Sequence, residues 1–525
     1  MLSHFLSNHP MNIDSSFSAD VLVAGAGPVG LLLACELALA GVRVLVLERD
    51  AEPASPLKLP PLGTRGLSVA TVEALDRRGL LDDLLAAAEA SRAGGGAVAR
   101  AAAAGAPRKA QAGHFAGIPI DASRIDASCW PWRLPGTVPT NVAADMSAVE
   151  TVLAARAAAL GVEIRRGHAV EALHDHGDRV TVRAGDQDFA ARWLVGADGG
   201  RSRVRRLAGF DFAGTEPEFT AYLAVVDIAD PDQLLPGRNT TSTGMYFNQP
   251  GQIAIADFDG GAFDRSQAVT REHLQAVLRR VSGTDVTLRA VHQATTFTDR
   301  ARQASTYRRG RVLLAGDAAH VHSALGGQGL NVGLGDAMNL GWKLAATVRG
   351  AAPATLLDTY HAERHPVGRW VLDWTRAQVD LMRPGPHARA IERVVRALAA
   401  TRDGATWFAE QLWGASLRYE LDEPHPLAGR SAPDFAFDDG TRLTDHLRDG
   451  RGALVEFEAR APMRTLVAGW SDRVRHLAAG ARDTLGLAAL LVRPDGVVAW
   501  ASDAAPDVAD AARALARWFG APTPA

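Results

Sequence analysis

The chain has 525 residues, 47% apolar and 22% charged, with a formal net charge of −3. That length holds two or three domains, and the nearly balanced charge implies no nucleic-acid or other polyanion partner. Three lysines (Lys58, Lys109, Lys343) stand among 56 basic residues, a skew that reads as genome composition and not as a binding patch. The two cysteines, Cys35 and Cys129, make no C-x-x-C pair, and Cys35 reads as core. Residues 1–19 lack a basic segment leading into an apolar run, so the expected location is a reducing cytoplasm, without signal peptide or membrane. Met11 is an alternative start.

Residues 20–50 organise the rest of the chain. Val21–Ala24 has the size of a buried parallel strand. Gly25, Gly27 and Gly30, with Pro28 between, spell G-x-G-x-x-G, Leu31–Ala40 continues at helical length, and Val42–Leu47 ends in Glu48 and Arg49. The first glycine makes the turn, the second lets backbone approach a pyrophosphate, and the third lets helix pack on strand. The helix start offers unpaired N–H groups to phosphate, and Glu48 is placed to accept from ribose hydroxyls. A buried hairpin or a membrane span is the alternative; Glu36 and the glycines argue against a span.

Next comes the Pro-rich loop EPASPLKLPPLGTRG, in which Arg65 either folds back over a phosphate or is solvated. One helix is expected over Ser68–Leu85, and a mobile Gly/Ala-rich excursion over 91–110. CWPWRLP (Cys129–Pro135) reads as aromatic packing beside a pocket. A helix from Met146 and strands at 162–164, 169–173 and 179–183 lead to Gly196–Gly199, which puts Asp198 at a strand end. Arg201, Arg203, Arg205 and Arg206 follow, either as a phosphate contact or as a solvated helix face. Residues 210–300 read as a mostly antiparallel sheet with one helix at Arg271–Val281.

The segment Arg311–Val348 carries the most specific pattern. Its strand ends in Gly316-Asp317, and a loop with Gly326, Gly327 and Gly329 opens a long helix at Leu330-Asn331. Such a loop lies flat against a planar ring, and the helix end places roughly half a positive charge there. An anionic reduced flavin is stabilised by that arrangement. Helical patterns at 368–379 and 388–400 suggest a bundle leading away from the core. From Leu427 a new unit alternates β and α elements, with a hairpin signal at Pro494-Asp495-Gly496.

GAGPVG with Glu48, GADGGRSRVRR and GDAAHVHSALGGQGLNVGLGDAMNLGWKLA, in that order, resemble the single-component FAD-dependent aromatic hydroxylases of the para-hydroxybenzoate hydroxylase type. The likeness is greatest to the longer bacterial branch acting on aromatic polyketides and rifamycins. It implies an α/β fold: a Rossmann-like FAD-binding domain (18–80, 138–206 and 301–385), an inserted mostly antiparallel β substrate domain (81–137 and 207–300), a helical linker (386–425) and a thioredoxin-like C-terminal domain (426–525) that carries no cysteine. It further implies non-covalent FAD, with pyrophosphate at Gly25–Gly30, adenosine ribose at Glu48, adenine against Val170 backbone, Asp198 and Asp317 on cofactor hydroxyls or phosphates, and isoalloxazine against Leu330 and Asn331.

The implied reaction hydroxylates an aromatic, polycyclic polyketide-type substrate through a flavin C4a-hydroperoxide, using O2 and transient NADPH or NADH. Alternatives are Baeyer–Villiger insertion or ring cleavage on the same fold, or a non-catalytic flavoprotein that sequesters an aromatic antibiotic. His322, Ser323, Ala324 and Tyr246 are the expected pocket residues. No catalytic residue is assigned, since His114, His168, His320 and His322 are all available, and no metal is expected. A monomer or homodimer is expected. Three positions depart from the family pattern: Met146 where Gln is frequent, Ala70 where Arg is common, and Ala324 where Pro is common.

Overall fold

The computed structural model describes residues 17–94, 111–134, 136, 138–140, 142–352 and 354–523; most of the expected 91–110 excursion lies outside them. The centre is a six-stranded sheet in the order 308–309, 312–314, 193–196, 21–24, 44–48, 163–166. All its pairings are parallel except the edge pair 308–309 with 312–314. Buried on both faces, Val21–Ala24 and Val44–Leu47 read as continuous apolar runs. Parallel pairing brings the carboxyl ends of five strands to one edge, the place where open α/β sheets bind ligands. Helix Pro28–Leu39 packs on strands 21–24 and 44–48 and against both helix Met146–Ala159 and the 21-residue helix Gln328–Val348. Glycine sets the approach: a Cβ on Gly341 would stand 2.4 Å from Glu36 Cβ, and one on Gly333 2.7 Å from Val29 Cγ2.

The expected helix over Ser68–Leu85 is two helices, Val69–Asp76 and Leu81–Gly94. Gly79, at φ +65°, turns the chain between them. Ser68 caps the first by accepting from Thr71 N–H.

The second layer is a five-stranded antiparallel sheet in the order 237–240, 244–249, 252–257, 220–228, 288–298. Helix Arg271–Ser282 covers one face, burying Leu274, Val277, Leu278 and Val281 against Tyr222, Ile253 and Ile255. The other face contributes Phe219, Ala221 and Met245 to a cluster with hairpin 111–121 and helices Asp358–Met382, Pro386–Ala399 and Arg402–Trp413. Those helices do not lead away from the core; the Phe408 ring lies tilted 5.1 Å from that of Phe115 within this cluster.

In the C-terminal unit, strand 452–456 runs parallel to 474–478 and antiparallel to 489–492, which pairs with 498–502 through the expected turn at 494–496. Helices Ala461–Ala468 and Val508–Phe519 complete a β-α-β, hairpin, α unit, consistent with the thioredoxin-like expectation. No helix among the described residues is long and apolar enough to cross a membrane.

Candidate active site

Three turns meet at the sheet's carboxyl edge. In the first, Gly25 has φ +107°, and a Cβ there would lie 2.4 Å from Ala197 O; one on Gly30 would lie 2.0 Å from Gly25 O. Both glycines answer to the protein's own packing. Gly27 differs: a Cβ on it meets nothing within 4 Å, so no contact within the protein requires glycine there and the turn is open at this point. Gly27 is also the N-cap of helix Pro28–Leu39 and caps it with no side chain, leaving the first-turn N–H groups for an anion. Glu48 closes this turn, its Oε2 accepting from Ala26 N–H at 2.7 Å and its Oε1 from Asp50 N–H at 2.9 Å. Arg49 is exposed and pairs with Asp50.

The second turn holds Asp198. Its Oδ2 accepts from the N–H groups of Arg203 (2.7 Å) and Val204 (3.1 Å), capping the short helix Arg203–Leu207. Its Oδ1 is buried without a partner among the described residues. The neighbouring arginines are mostly structural. Arg205 donates to Ala318 O and Gly200 O and lies 3.7 Å from the Phe212 ring centroid; Arg206 donates to Ser202 O; Arg203 donates to Val170 O. Arg65 is half-buried and donates to the nearby Leu62 O and Thr64 O.

The third turn joins strand 312–314 to helix Gln328–Val348. Gly316 has φ +61°, and its N–H donates to Asp336 Oδ2 at 2.9 Å. Asp317 opens to solvent at the cleft and makes no hydrogen bond with the described residues. Although its side chain reaches solvent, the buried turn it stands on raises its carboxyl above the usual range, by desolvation first, with His320 opposing and Asp336 adding to the rise. Gly326 (φ +76°) and Gly327 (φ +67°) then bring the chain to the helix, whose first turn again has no side-chain cap. Leu330 follows Gly329 in that first turn. The Asn331 side chain is spent on the protein: Oδ1 accepts from Ser68 N–H, and Nδ2 donates to Gly66 O and Gly327 O. Only backbone is left there for a flat ring.

Beside this loop, His322 Nδ1 lies 2.8 Å from Ser323 O, and its Nε2 is buried without a partner among the described residues, as is Ser323 Oγ. A carbonyl at Nδ1 fixes the proton there and leaves Nε2 an acceptor. Desolvation, with the His320 charge second, lowers the imidazole to about 4, so it is neutral near pH 7. Ala324 is exposed, and Leu325 packs against the cluster of Phe115, Phe219 and Trp374. Tyr246 is not part of this wall. It is 4% exposed on the helix-covered face, its hydroxyl accepting from Leu235 N–H, and strand alternation gives the pocket side to Met245.

Sequence reading missed the buried ionic scaffold behind the third turn. Asp336 accepts from Gly316 N–H, His320 Nε2 (2.8 Å) and Arg364 Nε (2.7 Å). Burial alone would raise its carboxyl, but Arg364 and His320 hold it below the usual range. Arg364 continues to Tyr419 OH and Val332 O. Alongside, Glu363 takes Arg493 through two bonds (2.9 and 2.8 Å), together with Lys343 and Asn339. Arg78 joins Glu36 to Leu447 O and Pro494 O. Polar residues inside otherwise apolar helical patterns were the available signal; most of their partners are far away in sequence.

The parts fit FAD. Two uncapped helix starts suit its diphosphate and ring, Gly27 leaves room, and Asp317 and Asp198 Oδ1 are acceptors without partners among the described residues. No group of His, Cys, Asp and Glu suited to a metal ion exists among the described residues.

Residues 18–375 match the family model "FAD binding domain", and residues 425–522 match "Aromatic-ring hydroxylase, C-terminal". The chain is 46% identical to a monooxygenase of Claviceps purpurea, over 97% of this chain and 99% of that protein. It is 39% identical to the rifampicin monooxygenase of Streptomyces venezuelae, over 96% and 99%. The solved structure of OxyS anhydrotetracycline hydroxylase from Streptomyces rimosus superposes with a TM-score of 0.82 at 38% identity, over 96% of this chain and 100% of that one.

Proposed function

The chain belongs to the FAD-dependent aromatic-ring hydroxylases and is an FAD-dependent monooxygenase; from that premise we infer that it hydroxylates a polycyclic, electron-rich aromatic at the expense of NADPH or NADH. When bound, FAD supplies the activation of O2 and the delivery of one oxygen atom. The observation that carries the substrate class is the apolar cluster beside the flavin loop: Leu325, Met245 and Phe297, packed on buried Phe115, Phe219 and Trp374, stay partly uncovered, with the small exposed Ala324 at the edge. Burial gains roughly 25 cal/mol per Å2 of apolar surface, so this wall favours several fused rings over one. The names of the relatives, a rifampicin monooxygenase and an anhydrotetracycline hydroxylase, support the same size class.

Within this reading Gly25–Gly30 carries the diphosphate, Glu48 the adenosine ribose, Val170 backbone the adenine, and Asp317 the ribityl side. Gly329–Asn331 backbone carries the ring. His322 positions a substrate hydroxyl by accepting its hydrogen bond at Nε2. At about 4 its basicity is too low for it to keep a phenol's proton. The nicotinamide coenzyme docks transiently, since no second G-x-G-x-x-G follows a strand. Arg201 is the exposed arginine of its cluster for which no side-chain hydrogen bond is seen among the described residues.

A panel of monocyclic and polycyclic phenols, assayed for stimulated NADPH and NADH oxidation by the FAD-loaded protein, tests this. Polycyclic phenols are expected to stimulate most. Monocyclic phenols outcompeting every polycycle would overturn the substrate class, and no stimulation by any compound would favour a binder. Product NMR separates hydroxylation from ring insertion.

A further inference from the structure

Beside the flavin helix lies a cavity of about 650 Å3, which shares Gln328 and Asn331 of that helix's first turn but is not lined by His322, Ser323, Ala324 or Leu325. Helix Gln328–Val348 separates the two spaces. Gly329 and Gly333 face His322 and Gly316 on the flavin side. Gln328, Asn331, Val332, Gly335, Met338 and Asn339, one stripe at helical spacing, face the cavity. Its opposite walls come from helix Val69–Asp76, the segment 129–134 and residues 410–434.

Four tryptophans, Trp130, Trp132, Trp370 and Trp413, line this space, with Trp130 edge-on to Trp413 at 5.6 Å. Indoles in such numbers offer flat apolar faces to a flat ligand, and the volume lies within the usual range for small-molecule sites. Two lining side chains carry a buried polar atom without a partner among the described residues, Trp130 Nε1 and Arg430 Nε, and both are donors. Among the described residues the Arg430 guanidinium is otherwise held by one long bond, from Nη1 to Ala415 O at 3.4 Å. A buried donor left unpaired is costly, so a ligand presenting oxygen acceptors is the complement of this wall. The small Ala70 lines the same space.

We propose that this cavity is a second ligand site, separate from the flavin face, for a planar aromatic compound bearing carbonyl or phenolate acceptors. Its floor includes Glu363, Arg364 and Tyr419, members of the scaffold that holds Asp336 and Gly316, so an occupant rests directly on the flavin loop's support.

The test is calorimetric titration of the oxidised, FAD-loaded protein with 1-hydroxy-2-naphthoate. It needs no coenzyme and no turnover, so its failure is independent of the hydroxylase reading. Wild-type protein should bind. Ser416→Trp, which fills the cavity, should weaken binding at least tenfold, and Trp130→Phe, which keeps the aromatic wall but removes a donor, by about threefold to tenfold. Met245→Trp, which crowds the substrate face, should leave this binding in place. No binding by wild type, wild-type affinity in both cavity variants, or loss of all binding in Met245→Trp would each overturn the proposal. Retained flavin absorbance shows that a variant is folded, and if Ser416→Trp loses it, Trp130→Phe decides.

Discussion

The three glycines of the first turn share a motif and have different reasons to exist. Gly25 and Gly30 cannot accept a Cβ without moving backbone, whereas Gly27 can. Gly30→Ala is therefore expected to damage the fold itself, seen as a lowered Tm of the flavin-free protein. Gly27→Ala should leave that Tm within about 2 °C, because surface changes without a steric conflict cost little, yet weaken FAD at least tenfold by blocking the diphosphate's approach. Asp317 permits a similar separation. It makes no hydrogen bond with the described residues, so Asp317→Ala should leave the flavin-free protein as stable as wild type. A charge-assisted bond is worth about 1.5–3 kcal/mol, so FAD retention should fall about ten- to a hundredfold. Glu48→Ala removes bonds to Ala26 and Asp50 as well, so it should lose both FAD and stability. Equal FAD content in all these variants would show that the cofactor lies elsewhere. Cys35, pushed up to about 12 by burial, is the inert core thiol expected from its place in the first helix.

At the scale of elements, the flavin loop is held from behind. Asp336, one side chain on the long helix, fixes the Gly316 N–H, His320 and Arg364 together. Breaking one partner of a buried ion pair costs roughly 3–5 kcal/mol. Asp336→Ala should destabilise by that order in chemical unfolding and loosen the third turn, so that FAD dissociates faster even where the protein stays folded. Unchanged FAD dissociation in a folded Asp336→Ala protein would separate the scaffold from the cofactor site. The turn itself was legible in the sequence, because its glycines and Asp317 follow a strand and open a helix. Its support was not, because Asp336, Glu363 and Arg364 sit in helical patterns whose partners only the tertiary fold brings near. Tyr246 failed for a smaller reason: the strand was recognised, but a period of two does not say which face meets the flavin, and helix Arg271–Ser282 claims that one. The break near Gly79 was missed because apolar spacing continues across it.

For the whole molecule, the C-terminal unit is joined to the flavin domain by buried charge. Arg493 meets Glu363, and Pro494 and Leu447 carbonyls accept from Arg78. Burial opposes ionisation of Glu363, but Arg493 and Lys343 outweigh it and hold the carboxyl near 2 rather than 4.5. Lys343 is lowered from 10.5 to about 8, by burial first and then by Arg493 against the pull of Glu363. In both cases the unfolded chain binds more protons, so stability rises with pH. The Glu363 contribution is complete above pH 4.5 and is lost as pH falls toward 2; the cost of the buried lysine is relieved between pH 8 and 10.5. Urea unfolding across about pH 2–5 should show the acid-side loss, and Arg493→Met should make it shallower. Deleting residues 425–525 removes these partners and uncovers Trp342, which packs 6.4 Å from Trp518, so aggregation is expected. A soluble truncated protein with intact flavin would contradict that dependence.

The central claim is that this chain puts one atom of O2 into a polycyclic aromatic. Turnover under 18O2 with NADPH and the best polycyclic phenol from the panel, followed by mass spectrometry of the product, tests it most directly. The account requires a product carrying one 18O atom, formed only with FAD bound and absent from Asp317→Ala protein that has lost its flavin. Coenzyme oxidation that yields hydrogen peroxide and unlabelled aromatic with every substrate, or a transformed product containing no 18O, would contradict it.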